Sequence, residues 1–124
     1  MTNKTIDTLN PNAKLWVEAL CSGEYQQGTG TLQTGDSYCC LGVACVVYEK
    51  ATGKSANRSE EGGNRLAGGT LSFQTNVKNW IGLESEYGKI VLGYSLIDLN
   101  DEENLSFEEI AEKIIEHQDS LFSK

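Results

Sequence analysis

The sequence predicts a single α+β domain over residues 1–124, in which a small antiparallel sheet packs against about four helices and the chain ends in an amphipathic helix. Three observations predict this class. The 124 residues, 39% of them hydrophobic, are enough for one core but not for two. Turn residues mark a hairpin at about 29–41, and four segments repeat apolar residues at helical spacing.

The segment "NPNAKLWVEALCSG" predicts the first helix. Asn10 suits the N-cap, Pro11 suits the first helical position, and Gly23 suits the position just beyond the end. The expected apolar face consists of Leu15, Trp16, Ala19 and Leu20. The hairpin at about 29–41 follows, with "TGD" as the turn between "GTLQ" and "SYCC".

The segments after the hairpin continue the mixed pattern of helix and strand. "LGVACVVYEKATG" predicts a largely buried helix, although Val46 and Val47 also allow a strand. "LSFQTNVKNWIGL" predicts a short helix with an apolar side made of Phe73, Val77, Trp80 and Ile81. "KIVLGY" is compatible with a short strand. These segments supply the middle of the domain.

"SFEEIAEKIIEHQDSLF" predicts the C-terminal amphipathic helix, and Ser106 and Glu109 form a capping box at its start. The apolar positions are Phe107, Ile110, Ala111, Ile114, Ile115 and Leu121. The opposite face carries Glu108, Glu112 and Glu116, spaced four residues apart, which we call the acidic stripe. We expect the acidic stripe to be a partner surface, and a purely solubilising role is the alternative.

The negative charge of the chain is concentrated near its C-terminus. Residues 84–124 hold eleven acidic residues and three basic ones, whereas residues 1–83 hold seven of each. Such a surface repels phosphates and favours basic partners, so direct binding of DNA or RNA is not expected. The sequence shows no leader and no apolar run long enough for a bilayer, so a cytoplasmic protein without a membrane partner is expected.

Four cysteines allow several interpretations. Cys39 and Cys40 are adjacent, so on a strand they would point to opposite faces and would not easily share a metal. A zinc site from Cys21, Cys40, Cys45 and His117 is conceivable. A cysteine nucleophile would have His117 as its only possible histidine partner. The favoured interpretation is that Cys40 and Cys45 are reduced, metal-free packing residues.

Residues 98–109 resemble the calcium loop of an EF-hand. The candidate ligands are Asp98, Asn100, Glu102 and Glu109. Glu103 stands where that loop requires Gly, and Ser106 with Glu109 equally suits a helix start. A calcium-stabilised structural module is therefore an alternative function, and absence of a metal is the favoured interpretation.

The Gly-rich segment at about 54–69 predicts a flexible loop. "TGKS" at its start is not a P-loop, because the earlier Gly that the motif requires is replaced by Tyr48. Lys54, Arg58 and Arg65 could still hold an anion, with Tyr38 or Trp80 stacking on a nucleotide-like ligand. A solvated loop, its charges offset by Glu60 and Glu61, is the alternative.

The stretch "LWVEALCSGEYQQGTGTLQTGDSYCCLGVAC" carries a Trp-x-x-Ala-Leu, Ser-Gly-x-Tyr and Cys-Cys-Leu-Gly-Val pattern. It resembles a family of small, mostly uncharacterised bacteriophage proteins, and the likeness resumes at "NWIGL" and "LIDLNDEENLSFEEIAEKI". The resemblance implies a phage or prophage product that acts in the cytoplasm of the bacterial host. It brings no established catalytic residue.

The sequence contains no recognisable catalytic constellation, so binding is favoured over catalysis and no cofactor is expected. The leading hypothesis is an accessory binding protein that interferes with a host factor or sequesters a host defence signal. Its partner would be a host protein or a small nucleotide-like ligand, and self-association is left open. A small cysteine-dependent enzyme is the alternative from another class, beside the calcium-stabilised module.

Overall fold

Two helices that pack against each other organise the fold, α1 (Pro11–Leu20) and α2 (Cys40–Thr52). The structure, a computed structural model, describes residues 5–59, 65–91 and 94–122. Within these ranges it has six α-helices and short strands in sheets of two or three. The predicted α+β class with a C-terminal helix is therefore confirmed.

The start of α1 follows from its local sequence. Asn10 Oδ1 accepts a hydrogen bond from the backbone N–H of Ala13 at 2.9 Å, and Pro11 occupies the first turn. Trp16 is fully buried, and its indole Nε1 donates to the carbonyl of Cys40 at 2.9 Å. The predicted apolar face of this helix included Leu15, but 44% of the surface of Leu15 is exposed.

The helix prediction for the cysteine-rich segment is confirmed, and the strand alternative is wrong. Cys39 is the N-cap of α2, and Gly53 ends the helix with φ 73°. Cys39 and Cys40 therefore do not alternate across a strand, and both are buried. A Cβ on Gly42 would lie 2.0 Å from the carbonyl oxygen of Leu32. Only glycine at this position therefore lets the backbone of Leu32 pack so closely against α2.

The first sheet contains the predicted hairpin in a shorter form. Its strands are β1 (Gln26–Gln27), β2 (Gln33–Thr34) and β3 (Ser37–Tyr38). β2 and β3 pair antiparallel through a turn in which Gly35 has φ 59°. β1 pairs with β3 in parallel, a contact that the hairpin pattern does not predict.

The predicted loop at about 54–69 contains two short strands. Its strands are β4 (Arg58–Ser59) and β5 (Arg65–Leu66), which pair antiparallel. The N–H of Leu66 donates to Gln33 Oε1 at 2.9 Å, and the N–H of Leu32 donates to the carbonyl of Gly68 at 3.0 Å. Both bonds join the β5 arm to the first sheet, while residues 60–64 lie outside the described residues.

The second half of the chain alternates helices with one short hairpin. Its elements are α3 (Thr75–Ile81), β6 (Lys89–Val91), β7 (Tyr94–Ser95), α4 (Leu96–Asp101), α5 (Phe107–Glu116) and α6 (Gln118–Leu121). The "KIVLGY" strand is confirmed in β6, although residues 92–93 lie outside the described residues. Phe73 precedes α3 in a short 3-10 helix and is 64% exposed, so its predicted place on the apolar side is wrong.

The C-terminal segment forms two helices rather than one. α5 ends at His117, whose φ of −106° and ψ of 21° leave the helical region. The capping box of Ser106 and Glu109 is confirmed in both directions, at 3.2 Å and 3.0 Å. Phe107, Ile110, Ala111 and Ile114 are buried, so α5 turns its other face outward.

Candidate functional site

A groove about 440 Å³ in volume lies between α1 and α2, and we call it the α1–α2 groove. The α1 side is formed by Leu15, Glu18, Ala19 and Ser22, and the α2 side by Val47, Lys50 and Ala51. Glu24 and Tyr25 complete the lining. Most of the lining surface is apolar, and the acidic groups stand at its edge, because both Glu18 and Glu24 are exposed.

A tight turn after α1 brings Glu24 and Tyr25 back beside the groove. Ser22 Oγ donates to the carbonyl of Ala19 at 2.6 Å and accepts from the N–H of Glu24 at 3.2 Å. Gly23 follows Ser22 with φ 78°, a left-handed conformation that favours glycine. The Ser-Gly-Glu-Tyr run therefore has a geometric role at the site.

Lys50 crosses one end of the α1–α2 groove. Its Nζ donates to Tyr25 Oη at 2.9 Å, lies 5.2 Å from the centroid of that ring, and lies 3.9 Å from Glu24 Oε2. The hydrogen bond with Tyr25 raises the pKa of Lys50 above its ordinary value, so the ammonium stays charged at neutral pH. Glu18, also in the lining, is exposed.

The acidic stripe begins close to the C-terminal end of α1, because α5 packs against α1. Cys21, at the end of α1, shows this proximity: burial raises the pKa of its thiol, and the charges of Glu108 and Glu112 raise it further. Glu116, at the other end of the stripe, lies 3.5 Å from Lys113 Nζ and 3.8 Å from His117 Nε2. Acidic groups therefore continue from the edge of the groove onto α5.

The residues predicted to hold a nucleotide-like ligand have separate partners in the structure. Arg58 Nη2 lies 2.5 Å from Glu49 Oε1, which satisfies the guanidinium within the fold. The Tyr38 ring packs edge-on against Tyr25 at 6.1 Å, and the Trp80 ring packs edge-on against Tyr48 at 5.7 Å.

The remaining two predicted ligand residues lie at either end of the Gly-rich segment. Lys54 is exposed just after α2, and its backbone N–H donates to Thr52 Oγ1 at 3.1 Å. Arg65 is exposed on β5, where its neighbour across the hairpin is Ser59. The Tyr38 and Trp80 rings each pack against another aromatic ring, Tyr25 and Tyr48 respectively.

The segment 98–109 does not have the form of a calcium loop. Its first residues belong to α4, where Asp98 Oδ2 accepts from the N–H of Ser95 at 3.0 Å and closes a capping box. Glu109 is used in the cap of α5, and Glu102 follows the end of α4. Across the described ranges no three His, Cys, Asp or Glu side chains form a group that could hold a metal ion.

Asn100, one of the proposed calcium ligands, is a buried connector. Its Oδ1 accepts from Gln27 Nε2 at 2.9 Å and from the N–H of Cys40 at 3.3 Å. Its Nδ2 donates to the carbonyl of Gly28 at 2.8 Å and to Asp101 Oδ1 at 2.8 Å. Three of these four bonds join α4 to β1, to Gly28 just after it and to α2, and the fourth stays within α4.

The packing interpretation of the cysteines is confirmed for Cys40 and Cys45, which are both fully buried in the core. Burial raises the pKa of the Cys40 and Cys45 thiols well above their ordinary values and that of Cys39 to about 11. A thiol in this state is protonated at neutral pH and is a poor nucleophile. Cys21 is the exposed cysteine of the four, and all four are free thiols.

Sequence reasoning missed the α1–α2 groove, although a signal for it was present. Ala13, Trp16, Val17 and Leu20 repeat at helical spacing and form the buried face of α1. Leu15 and Ala19, four residues apart, form a second and narrower apolar row that this face does not need. A second row on one short helix indicates a second contact surface.

The fold and the site together define a small α+β domain with an apolar groove between two helices and an acidic face on a third. The chain belongs to the family described as a domain of unknown function, DUF8296, which matches residues 10–119. No curated protein and no solved structure matches the chain. The matched range starts at the N-cap of α1 and includes the groove and the acidic stripe. In the described ranges, no helix has the length and apolar character needed to cross a membrane.

Proposed function

We propose that this chain is an accessory binding protein of phage or prophage origin that interferes with a basic protein of its bacterial host. The observation that carries the proposal is the outward face of α5. Glu108, Glu112 and Glu116 are all exposed there, on a helix whose other face is buried in the core. The proposed phage or prophage origin rests on the resemblance carried by the Trp-x-x-Ala-Leu, Ser-Gly-x-Tyr and Cys-Cys-Leu-Gly-Val pattern.

The like charges of the acidic stripe destabilise α5. Like charges four residues apart destabilise a helix by about 0.2 to 0.5 kcal/mol per pair. Two such pairs lie on α5, and Lys113 Nζ lies 3.5 Å from Glu116 Oε2. A feature that opposes folding is explained if it attracts a basic partner, and the net charge of −8 extends that attraction over a distance.

Binding of a host protein is favoured over sequestration of a nucleotide-like signal. The signal would need cations and stacking rings at one place, whereas Arg58 is paired with Glu49 and the rings of Tyr38 and Trp80 pack against other aromatic residues. Cysteine-dependent catalysis is disfavoured because burial keeps the core thiols protonated.

The test is capture of host proteins by two variants of equal charge. In the stripe variant, Glu108, Glu112 and Glu116 are changed to Gln. In the matched control, the exposed Glu84, Glu86 and Glu103 are changed to Gln. We expect the wild type and the control to recover the same basic protein from host lysate, and the stripe variant to lose it. Equal recovery by all three proteins would show that the acidic stripe only aids solubility.

A further inference from the structure

The α1–α2 groove is an exposed apolar surface that the acidic stripe does not account for. Leu15 lines the groove and is 44% exposed. Leu15, Ala19 and Val47 offer apolar contact, and the polar groups at one end, Tyr25 and Lys50, already bond to each other at 2.9 Å. The apolar surface of the groove is small, so it suits a few apolar side chains of a partner rather than a broad interface.

We propose that the α1–α2 groove binds a short amphipathic helix of the basic partner, with apolar side chains in the groove and Lys or Arg side chains at its edge. This inference rests on the proposed function and names the contact through which the partner is held. From Leu15 to Ser22 the α1 side spans seven residues, or about 10 Å at the rise of an α-helix. Anchors at positions i, i+4 and i+7 of a bound helix span the same length.

The charges around the groove select a basic segment. Glu18 and Glu24 are exposed at its edge, and Glu108 and Glu112 lie close to the neighbouring end of α1. Lys50, the cation in the lining, pairs with Glu24 at 3.9 Å. Glu18, together with Glu108 and Glu112 on α5, therefore supplies the negative charge that favours a basic segment. A bound helix with basic residues beside its apolar anchors would therefore meet carboxylates on the groove edge and on the acidic stripe.

The same charges argue against a second copy of this chain as the occupant. Each copy carries a net charge of −8, and two copies joined at this groove would bring two sets of edge carboxylates together. A small polar ligand is also a poor fit, because the side chains of Tyr25 and Lys50 are hydrogen-bonded to each other. Binding of a second copy remains an outcome that the experiment separates.

Three designed peptides of equal length supply the probe. The first is an amphipathic Lys/Leu helix, the second replaces each Leu with Ser, and the third replaces each Lys with Glu. Binding is followed by the amide chemical shifts of the full chain. We expect the Lys/Leu peptide to shift amides of Leu15, Ala19, Val47 and Ala51, the Lys/Ser peptide to shift only the acidic stripe, and the Glu/Leu peptide to shift neither.

Two variants test whether the peptide binds in the α1–α2 groove. Leu15→Ser removes the exposed apolar anchor of the groove, and Phe73→Ser removes an exposed apolar side chain elsewhere. We expect Leu15→Ser to weaken the Lys/Leu peptide about tenfold, because a Leu contact is lost, while Phe73→Ser leaves its Kd unchanged. Thermal melting of both variants checks that the fold is kept.

The outcomes separate this inference from the proposed function. If Leu15→Ser still captures the host protein while the stripe variant does not, the groove inference is overturned and the proposed function stands. If the stripe variant still captures it and Leu15→Ser does not, the proposed role of the stripe fails and the groove remains. Groove shifts that depend on protein concentration without peptide, or equal shifts with the Glu/Leu peptide, would also overturn the basic-helix assignment.

Discussion

Replacing Asn100 with Ala should destabilise the protein more than any other single change to a polar side chain. Asn100 is 1% exposed and makes four hydrogen bonds, two through Oδ1 and two through Nδ2. The variant would leave the N–H of Cys40 and the carbonyl of Gly28 without this partner inside the protein. Each group left unsatisfied costs about 1 to 3 kcal/mol, so for these two groups we expect a loss of about 2 to 6 kcal/mol.

The assay is urea denaturation followed by tryptophan fluorescence, with Asn79→Ala as the matched control. Asn79 is exposed on α3, so the same substitution there should change the free energy of unfolding by no more than about 0.5 kcal/mol. A loss below about 1 kcal/mol for Asn100→Ala, with an unchanged denaturant slope, would refute the connector role. It would mean that water or a small shift of the backbone satisfies the same groups.

Further predictions test the core and the excluded sites. Gly42→Ala should cost more than about 2 kcal/mol, because the new Cβ would meet the carbonyl oxygen of Leu32 at 2.0 Å, and chemical denaturation checks it. A thiol reagent at neutral pH should label Cys21 alone in the native chain, and Cys45→Ala should cost about 1 to 2 kcal/mol with the fold kept. Rapid labelling of a second thiol would contradict the burial assigned to the others. Millimolar calcium should leave the Tm unchanged, because residues 98–101 are helical. A rise in Tm of several degrees would instead indicate that residues 98–109 bind calcium.

Local signals predicted the helix ends well. The caps of α1 and α5 depend on residues no more than four positions apart, so Asn10 with Pro11 and Ser106 with Glu109 could be identified from the sequence. The end of α2 at Gly53 follows the same rule. These features need no knowledge of the rest of the fold.

Contacts between distant segments could not be predicted in the same way. Asn100 bonds to Cys40 and Gly28, which lie 60 and 72 residues away, and no local pattern distinguishes such an Asn from a metal ligand. The same ambiguity hid α4, because the Ser95–Asp98 capping box lies in an acidic run that also resembles a calcium loop. The parallel pairing of β1 with β3 likewise depends on how α1 and α2 pack.

The groove was missed because its two sides come from different helices. Leu15 and Ala19 are apolar, so helical spacing alone assigned them to the core together with Trp16 and Leu20. Only the position of α2 shows that Leu15 stays at the surface, beside Val47 and Lys50. The acidic stripe, in contrast, lies on one helix, and its exposure could be predicted from the sequence.

The most direct test of the partner surface is the salt dependence of association with the captured host protein. Between about 0.05 and about 0.3 M salt, attraction between exposed charges is increasingly screened. We predict that the association rate constant of the wild type falls about tenfold over this range while its dissociation rate constant changes little. The stripe variant should associate more slowly at low salt and show a much weaker dependence. Identical salt dependence for the wild type and the stripe variant would contradict the proposal that Glu108, Glu112 and Glu116 form the partner surface.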